Sequence, residues 1–252
     1  MARKLTLVEM TQNILSAMDS DEVNSITDTV ESLQVAEVIR ETYDELFANY
    51  DIPEFKSLTQ LEGLADTDKP NYMKIPDDVD KIEWIKYDNY TDSATDYRSI
   101  TYLTPEQFFI AMAVRAGADD TIEVDDDSGV RLWIFDNQNP QYWTTFDDEY
   151  IVFDGYDADL DSTLQTSKSL VYARMSQDFT MEDDFVPHLD TNLFPYLLAE
   201  AKSVCFANLK QMPSAKEEQR SRRQRVRSQN DLWRARQRTP GTGGPDYGRR
   251  RR

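Results

Sequence analysis

Redox, nucleotide and hydrolytic chemistry all lack their usual parts in this 252-residue chain. It has one cysteine, so no intramolecular disulfide can form. Cys205 stands between Val204 and Phe206 in an apolar helical stretch, which is the setting of a small core residue. A reactive thiolate needs exposure and nearby positive charge instead. One histidine, His188 in HLDTN, is a lone base with no nucleophile elbow of the G-x-S-x-G kind, so a triad is not encoded. Its better reading is a capping or interface role before the helix that follows. The eight glycines spell neither G-x-x-x-x-G-K-[ST] nor G-x-G-x-x-G, which removes the common phosphate-cradling loops. No apolar run approaches the 18 or so residues of a membrane span, and the N-terminal stretch has no apolar signal core. The expectation is a soluble protein made in the cytosol, with no catalytic residues, no cofactor, no metal and no membrane contact.

What the chain does have is charge, unevenly placed. Residues 210–252 hold 14 of the 28 Lys+Arg and 4 of the 47 Asp+Glu, a net of +10. Residues 1–209 hold the other 14 basic and 43 acidic groups, a net of −29. An acidic body of this charge does not lie on nucleic acid, so any phosphate contact falls to the basic end. Apolar residues make up 39%, with 13 Tyr, 11 Phe and 4 Trp, enough for the body to bury a core.

Periodicity divides that body. Thr6 and Glu9 form a capping box, and Leu7, Met10, Ile14 and Met18 follow at helical spacing, which predicts a helix over 6–18. A longer helix is read from a cap-like pair, Ser25 and Asp28, to Tyr50, with Pro53 ending it and a short third helix over 54–64. From Asn71 the period shortens. Strands are predicted at 80–87, 98–102, 121–124, 130–135 and 149–153, with a turn at Asp127, Ser128 and Gly129. Thr104 before Pro105 starts a helix closed by Gly117. Residues 162–174 read as a strand or short helix, and a return helix starts at Asp190 or Thr191. The order gives an α+β class: N-terminal helices and a long C-terminal helix around a central antiparallel β region, with an extended C-terminal arm. The domains expected are a helical lobe of residues 1–66 and 190–209, a β-rich insertion of 67–189, and a basic arm of 210–252 docking on neighbouring subunits.

Two acidic runs invite a calcium reading. Asp157, Asp159 and Asp161 open like a calcium loop, but Ser162 stands where the glycine belongs and Lys168 where the terminal glutamate belongs. The run of Asp125, Asp126 and Asp127 fails the same comparison, so both read as solvated loops.

The arm is the part with functional content. A capping box, Ser214 and Glu217, follows Pro213 and predicts a further helix to about Arg238. If continuous with the return helix, it would span roughly 70 Å at about 1.5 Å per residue. Residues 239–252, TPGTGGPDYGRRRR, carry no periodic pattern. All twelve basic residues from Arg220 onward are arginine, whose planar guanidinium suits paired carboxylates better than lysine does. Arg220, Arg222, Arg223, Arg225, Arg227, Arg234, Arg236 and Arg238 surround one aromatic, Trp233, an interface-anchor composition. These nine form the candidate partner-binding site. Non-specific nucleic-acid binding through the same arginines is the alternative, and a merely solvated basic helix is the bland one.

The layout resembles the head-to-tail adaptor proteins of short-tailed bacteriophages, the tail tubular protein A and tail accessory factor group. The residues that carry this are the N-terminal helical pair (LTLVEMTQNILSAM and SITDTVESLQVAEVIRETYDEL), the aromatic strands (IEWIKYD, VRLWIF, DEYIVFDGYD) and FPYLLAEAKSVCFANLKQMPSAKEEQRSRRQ with its basic extension. The resemblance implies a structural virion protein of the tail or neck, not an enzyme. It implies a homo-oligomeric ring, usually a dodecamer, between the portal protein and the tail nozzle protein. Genome DNA would pass through the lumen, and residues 210–252 would climb onto the portal. The competing class is a packaging or scaffold-like factor that uses the arginine-rich arm on nucleic acid.

Overall fold

The computed structural model describes residues 4–50, 52–89, 95–126, 128–189, 193–211 and 214–236. It is mixed α+β, with five α-helices and ten strands among the described residues. The chain forms two compact units: Met1–Glu54 with Gln177–Arg252, and Phe55–Ser176. The boundaries fall at 54/55 and 176/177, about a dozen residues before the domain boundaries expected at 66/67 and 189/190.

The first unit is helical. Helix α1 (Leu7–Ala17) is closed at its start by Thr6 and Glu9 in a reciprocal capping box, and it buries Leu7, Met10, Ile14 and Leu15. Helix α2 (Val30–Asn49) starts later than the sequence reading placed it. Asp28 does meet Ser25, but its carboxylate accepts the Asn24 and Ser25 N–H groups in a turn before the helix. The cap is Thr29, paired with Ser32. Helices α4 (Phe194–Asn208) and α5 (Ala215–Arg236) complete the unit. The return segment is stitched to α1 by Leu7 N–H donating to the Phe185 carbonyl at 2.8 Å, and Tyr43 of α2 meets the Phe179 ring, centroids 5.4 Å apart.

The second unit begins where a third helix was expected over 54–64. Instead, a single 3₁₀ turn, Pro53–Phe55, leads into strands β1 (Lys56–Thr59) and β2 (Glu62–Gly63). The strands that follow are β3 (Tyr72–Lys74), β4 (Val79–Asp88) and β5 (Tyr97–Tyr102). Helix α3 (Pro105–Ala113) and hairpin β6–β7 (Thr121–Asp125, Arg131–Phe135) come next, then β8 (Tyr142–Thr145), β9 (Tyr150–Phe153) and β10 (Ser169–Met175). Part of the β6–β7 turn, Asp127, lies outside the described residues. Eight strands make one sheet in the order β1-β10-β4-β5-β8-β9-β3-β2, antiparallel except for the parallel pair β5 and β8. The parallel pair is the consequence of the α3–β6–β7 excursion between its members.

The sheet's two edge strands, β1 and β2, are joined by only Gln60 and Leu61. Three Cα steps reach at most about 11 Å, so the sheet must curl until its edges nearly meet. Ser169 and Thr166 hold that seam: their hydroxyls accept the Leu61 and Gly63 N–H groups at 2.9 and 2.7 Å. The interior is filled by side chains including Tyr87, Ile100, Phe108, Trp143, Phe153 and Val171. A buried ion pair ties the excursion to the sheet. Arg115 Nη2 lies 2.8 Å from Asp154 Oδ2, the Arg115 guanidinium covers the Phe135 ring at 3.9 Å, and Asp154 Oδ1 accepts the Gln141 and Tyr142 N–H groups.

Candidate functional site

The basic helix α5 does not prolong α4. In one continuous helix, Glu200 and Ser221 would stand roughly 31 Å apart at about 1.5 Å per residue; here the Ser221 hydroxyl donates to the Glu200 carboxylate. Lys202 feels Glu217, and Glu200 and Tyr196 feel Arg225. The partner numbers fall on one helix as they rise on the other, so α4 and α5 form an antiparallel helical hairpin. The roughly 70 Å rod is thereby replaced by two helices side by side, with residues 212–213 between them outside the described set.

The seam of this hairpin is polar. Ser214, just before α5, and Glu217, Ser221 and Gln224 within it recur at three- and four-residue steps, and they are the partly or fully buried positions over 214–227, Ser221 being only 4% exposed. At about 100° per residue, Arg222 and Arg223 lie opposite that seam, while Arg220 and Arg225 flank its two edges. All five arginines from Arg220 to Arg227 are exposed. Arg222 pairs with Glu218 at 2.6 Å, one turn away, and Arg220 with Glu217 at 3.7 Å. Among the described residues, Arg223 and Arg227 have no ion-pair partner. Trp233, Arg234 and Arg236 fall in the last two turns of α5, and Arg238 lies outside the described residues.

The α4 side of the seam was not visible as a site in sequence. Burial pushes the Glu200 carboxyl above its ordinary value; the Arg225 guanidinium draws it back down and the Glu45 charge adds to the rise. Burial likewise lowers Lys202 and raises the Tyr196 phenol, whose ring meets Tyr50 edge-on with centroids 6.0 Å apart. The only sequence signal was a glutamate and a lysine inside LLAEAKSVCF, polar positions in a helix otherwise written for burial.

Cys205 is fully buried and its thiol is pushed up to about 12, first by burial and then by the Glu31 charge, which makes it a poor nucleophile. His188 is exposed, and its backbone meets the Tyr43 hydroxyl ahead of α4. In the Asp157, Asp159 and Asp161 loop, Lys168 Nζ sits 2.5 Å from Asp161, so a cation already stands where a calcium ligand belongs. Among the described residues, no group of three or more His, Cys, Asp or Glu side chains is placed to hold a metal ion, and no helix is long and apolar enough to cross a membrane.

The arrangement can present a dense guanidinium surface on a helix whose opposite face is occupied. No protein-family model matches the chain, and no curated protein matches it.

Proposed function

We propose that the protein is a structural virion component, a head-to-tail adaptor that forms a ring between a portal protein and a tail nozzle protein. In this reading α5, with its arginines and Trp233, is the portal-docking arm, and the acidic remainder lines a conduit for genome DNA. The observation that carries the reading is the division of α5 into a polar face spent on its own subunit and an arginine face, Arg222, Arg223 and Arg227, left for another. Guanidinium groups in this density suit carboxylates presented by a second protein. With Ser221 opposite Glu200, Phe194 at the start of α4 falls opposite about Arg227, and the nine residues to Arg236 carry α5 roughly 13 Å further at about 1.5 Å each. That overhang contains Trp233 and makes the reach of the arm. The body's net charge of −29 supports the conduit, because a negative wall repels passing phosphates and keeps them from sticking.

Removing residues 210–252 entirely would also uncover α4, so charge reversal is the cleaner test. Arg222→Glu/Arg223→Glu/Arg227→Glu leaves the seam intact and should fold with an unchanged circular dichroism spectrum. It should also fail to co-sediment with the portal protein. Undiminished co-sedimentation refutes the reading. Steeply salt-dependent retention of DNA by the wild-type chain, with no portal present, would favour the packaging-factor alternative instead.

A further inference from the structure

Strand β4 is paired with β10 along nearly its whole length but with β5 only through residues 85–88. Beyond Ile85 the two strands part, because β5 turns to pair with β8 through Thr101 and Tyr102. On that side, residues 79–84 of β4 have no strand partner among the described residues. A cavity of about 560 Å³ fills the gap, with Ile75, Val79, Ile82, Tyr102, Trp143 and Ile151 on its walls. Tyr102 is 48% exposed and meets Trp143 edge-on, centroids 4.8 Å apart. An unpaired edge beside an apolar trough is the geometry that accepts an extended segment as an added strand.

The mouth of the trough is acidic. Asp80, Lys81, Glu83 and Asp148 line it, and the adjoining loops add Asp77, Asp78, Asp147 and Glu149. Asp80 is paired with Arg174, Glu83 with Lys56 and Asp77 with Lys74, so the carboxylates without an ion-pair partner among the described residues are Asp78, Asp147, Asp148 and Glu149. The two loops are tied together where Ile75 N–H donates to the Glu149 carbonyl at 2.9 Å. Lys74, between Asp77 and Glu149, has its ammonium pushed upward, first by the Asp77 hydrogen bond. The complementary segment lies in the same sequence. Residues 237–252 are outside the described residues; they carry five arginines against one aspartate, close on Arg249, Arg250, Arg251 and Arg252, and hold one aromatic, Tyr247. The same stretch holds two prolines, Pro240 and Pro245.

We infer that the terminal residues 237–252 of one copy bind the β4 trough of a second copy, Tyr247 entering the apolar part and the closing arginines meeting the rim carboxylates. The chain then associates head to tail, since trough and segment are different surfaces. This stands apart from the portal reading, and its test contains no portal protein.

Sedimentation velocity on the full chain across the micromolar range should show concentration-dependent association that weakens with salt. A chain ending at Arg236 should be monomeric, and so should Ile82→Lys. Mixed in equal amounts, those two should form a dimer and nothing larger, because each supplies the half the other lacks. Should Ile82→Lys lose its circular dichroism spectrum, Asp77→Lys/Asp78→Lys on the exposed rim replaces it, with association weakened about tenfold or more. A wild-type chain that stays monomeric, a truncated chain that associates as the wild type does, or a mixture that forms no dimer overturns the inference.

Discussion

Arg115→Met is the substitution whose cost follows most directly from the structure. The Asp154 carboxylate is 3% exposed, and the Arg115 side chain opposite it is 13% exposed, so neither charge relies on water. Removing one member of such a pair costs about 3–5 kcal/mol, because the survivor stays buried and uncompensated. Two features set where in that range the cost falls. Asp154 keeps the Gln141 and Tyr142 N–H groups on Oδ1, at 2.8 and 2.7 Å, which favours the lower end. Loss of the guanidinium from the Phe135 ring removes a cation–π contact worth about 0.5–1 kcal/mol or more. We therefore expect about 3–4 kcal/mol. With a urea slope of about 1.5 kcal/mol/M, the midpoint falls by roughly 2 M or more. Trp84, Trp133 and Trp143 belong to the β unit and Trp233 to the helical unit, so in a Trp233→Phe background tryptophan fluorescence follows unfolding of the β unit while circular dichroism at the helical minimum follows chiefly the helical unit. The double variant Arg115→Met/Asp154→Asn should recover part of the loss, which gives the coupling directly. A change below about 1 kcal/mol in the fluorescence transition would refute the claim that this pair fastens α3 to the sheet.

Three further outcomes follow from the same reasoning. Glu200 has a folded pKa above its ordinary value of 4.5, so the folded state holds the proton more tightly and stability from this group falls as pH rises from 4.5 through the raised value; Glu200→Gln should gain on the wild type across that window and show no difference from it in slope below. A Cβ at Gly155 would stand 3.1 Å from the Phe135 carbonyl oxygen and 3.2 Å from that of Gln138, both backbone, so Gly155→Ala should cost about 1–3 kcal/mol in urea unfolding of the β unit. Hydrogen exchange should release the α5 amides well before those of α4, since α5 is held by a polar seam and α4 by apolar packing.

The helical elements were legible where the residues that start them are unambiguous. Thr6 with Glu9 and Thr104 with Pro105 both cap as read. Thr29 was passed over because its partner at the third helical position is Ser32, not the glutamate or glutamine that marks a capping box in sequence. Strand β4 shows how a true strand can look irregular. Its register with β10 slips at two points, leaving Glu83 and Asp80 as extra residues, so Val79, Ile82 and Ile85 arrive at three-residue steps yet pair within one strand. Strands β1, β2, β3 and β8 have two to four residues each, too few for any period to register. The first two replaced a helix because their partners, β10 and β3, supply a ladder that local sequence does not announce. On the functional side, the arginines of α5 were plain from composition, but the seam was not. Ser214, Glu217, Ser221 and Gln224 are residues a reader assigns to solvent, and only the return of the chain upon α4 shows that they are inside.

That polar seam bears on what α5 can do. A neutral hydrogen bond contributes on the order of 0.5–1.5 kcal/mol net, and half-buried ion pairs little more, so a helix held this way gives up little when it exchanges its contacts for equivalent ones elsewhere. Leucines at the same four positions would bind α5 to α4 more tightly and would leave a large apolar face exposed on release. The composition found keeps both states soluble. Apolar packing in the helical unit is concentrated between α2 and the other face of α4, where Val35, Ile39, Leu197, Ala201 and Cys205 are buried, so α4 keeps its place whether or not α5 is on it. The arginines opposite the seam are available in either state, and the exposed Arg225 at its edge now moderates the half-buried Glu200. A partner that offers carboxylates to Arg223 and Arg227 therefore displaces no ion pair at first contact, whereas one that engages Arg222 competes with Glu218, and one that also engages Arg225 draws it from Glu200. Such a helix is suited to being transferred from its own subunit to another, by a difference small enough for the partner's surface to decide.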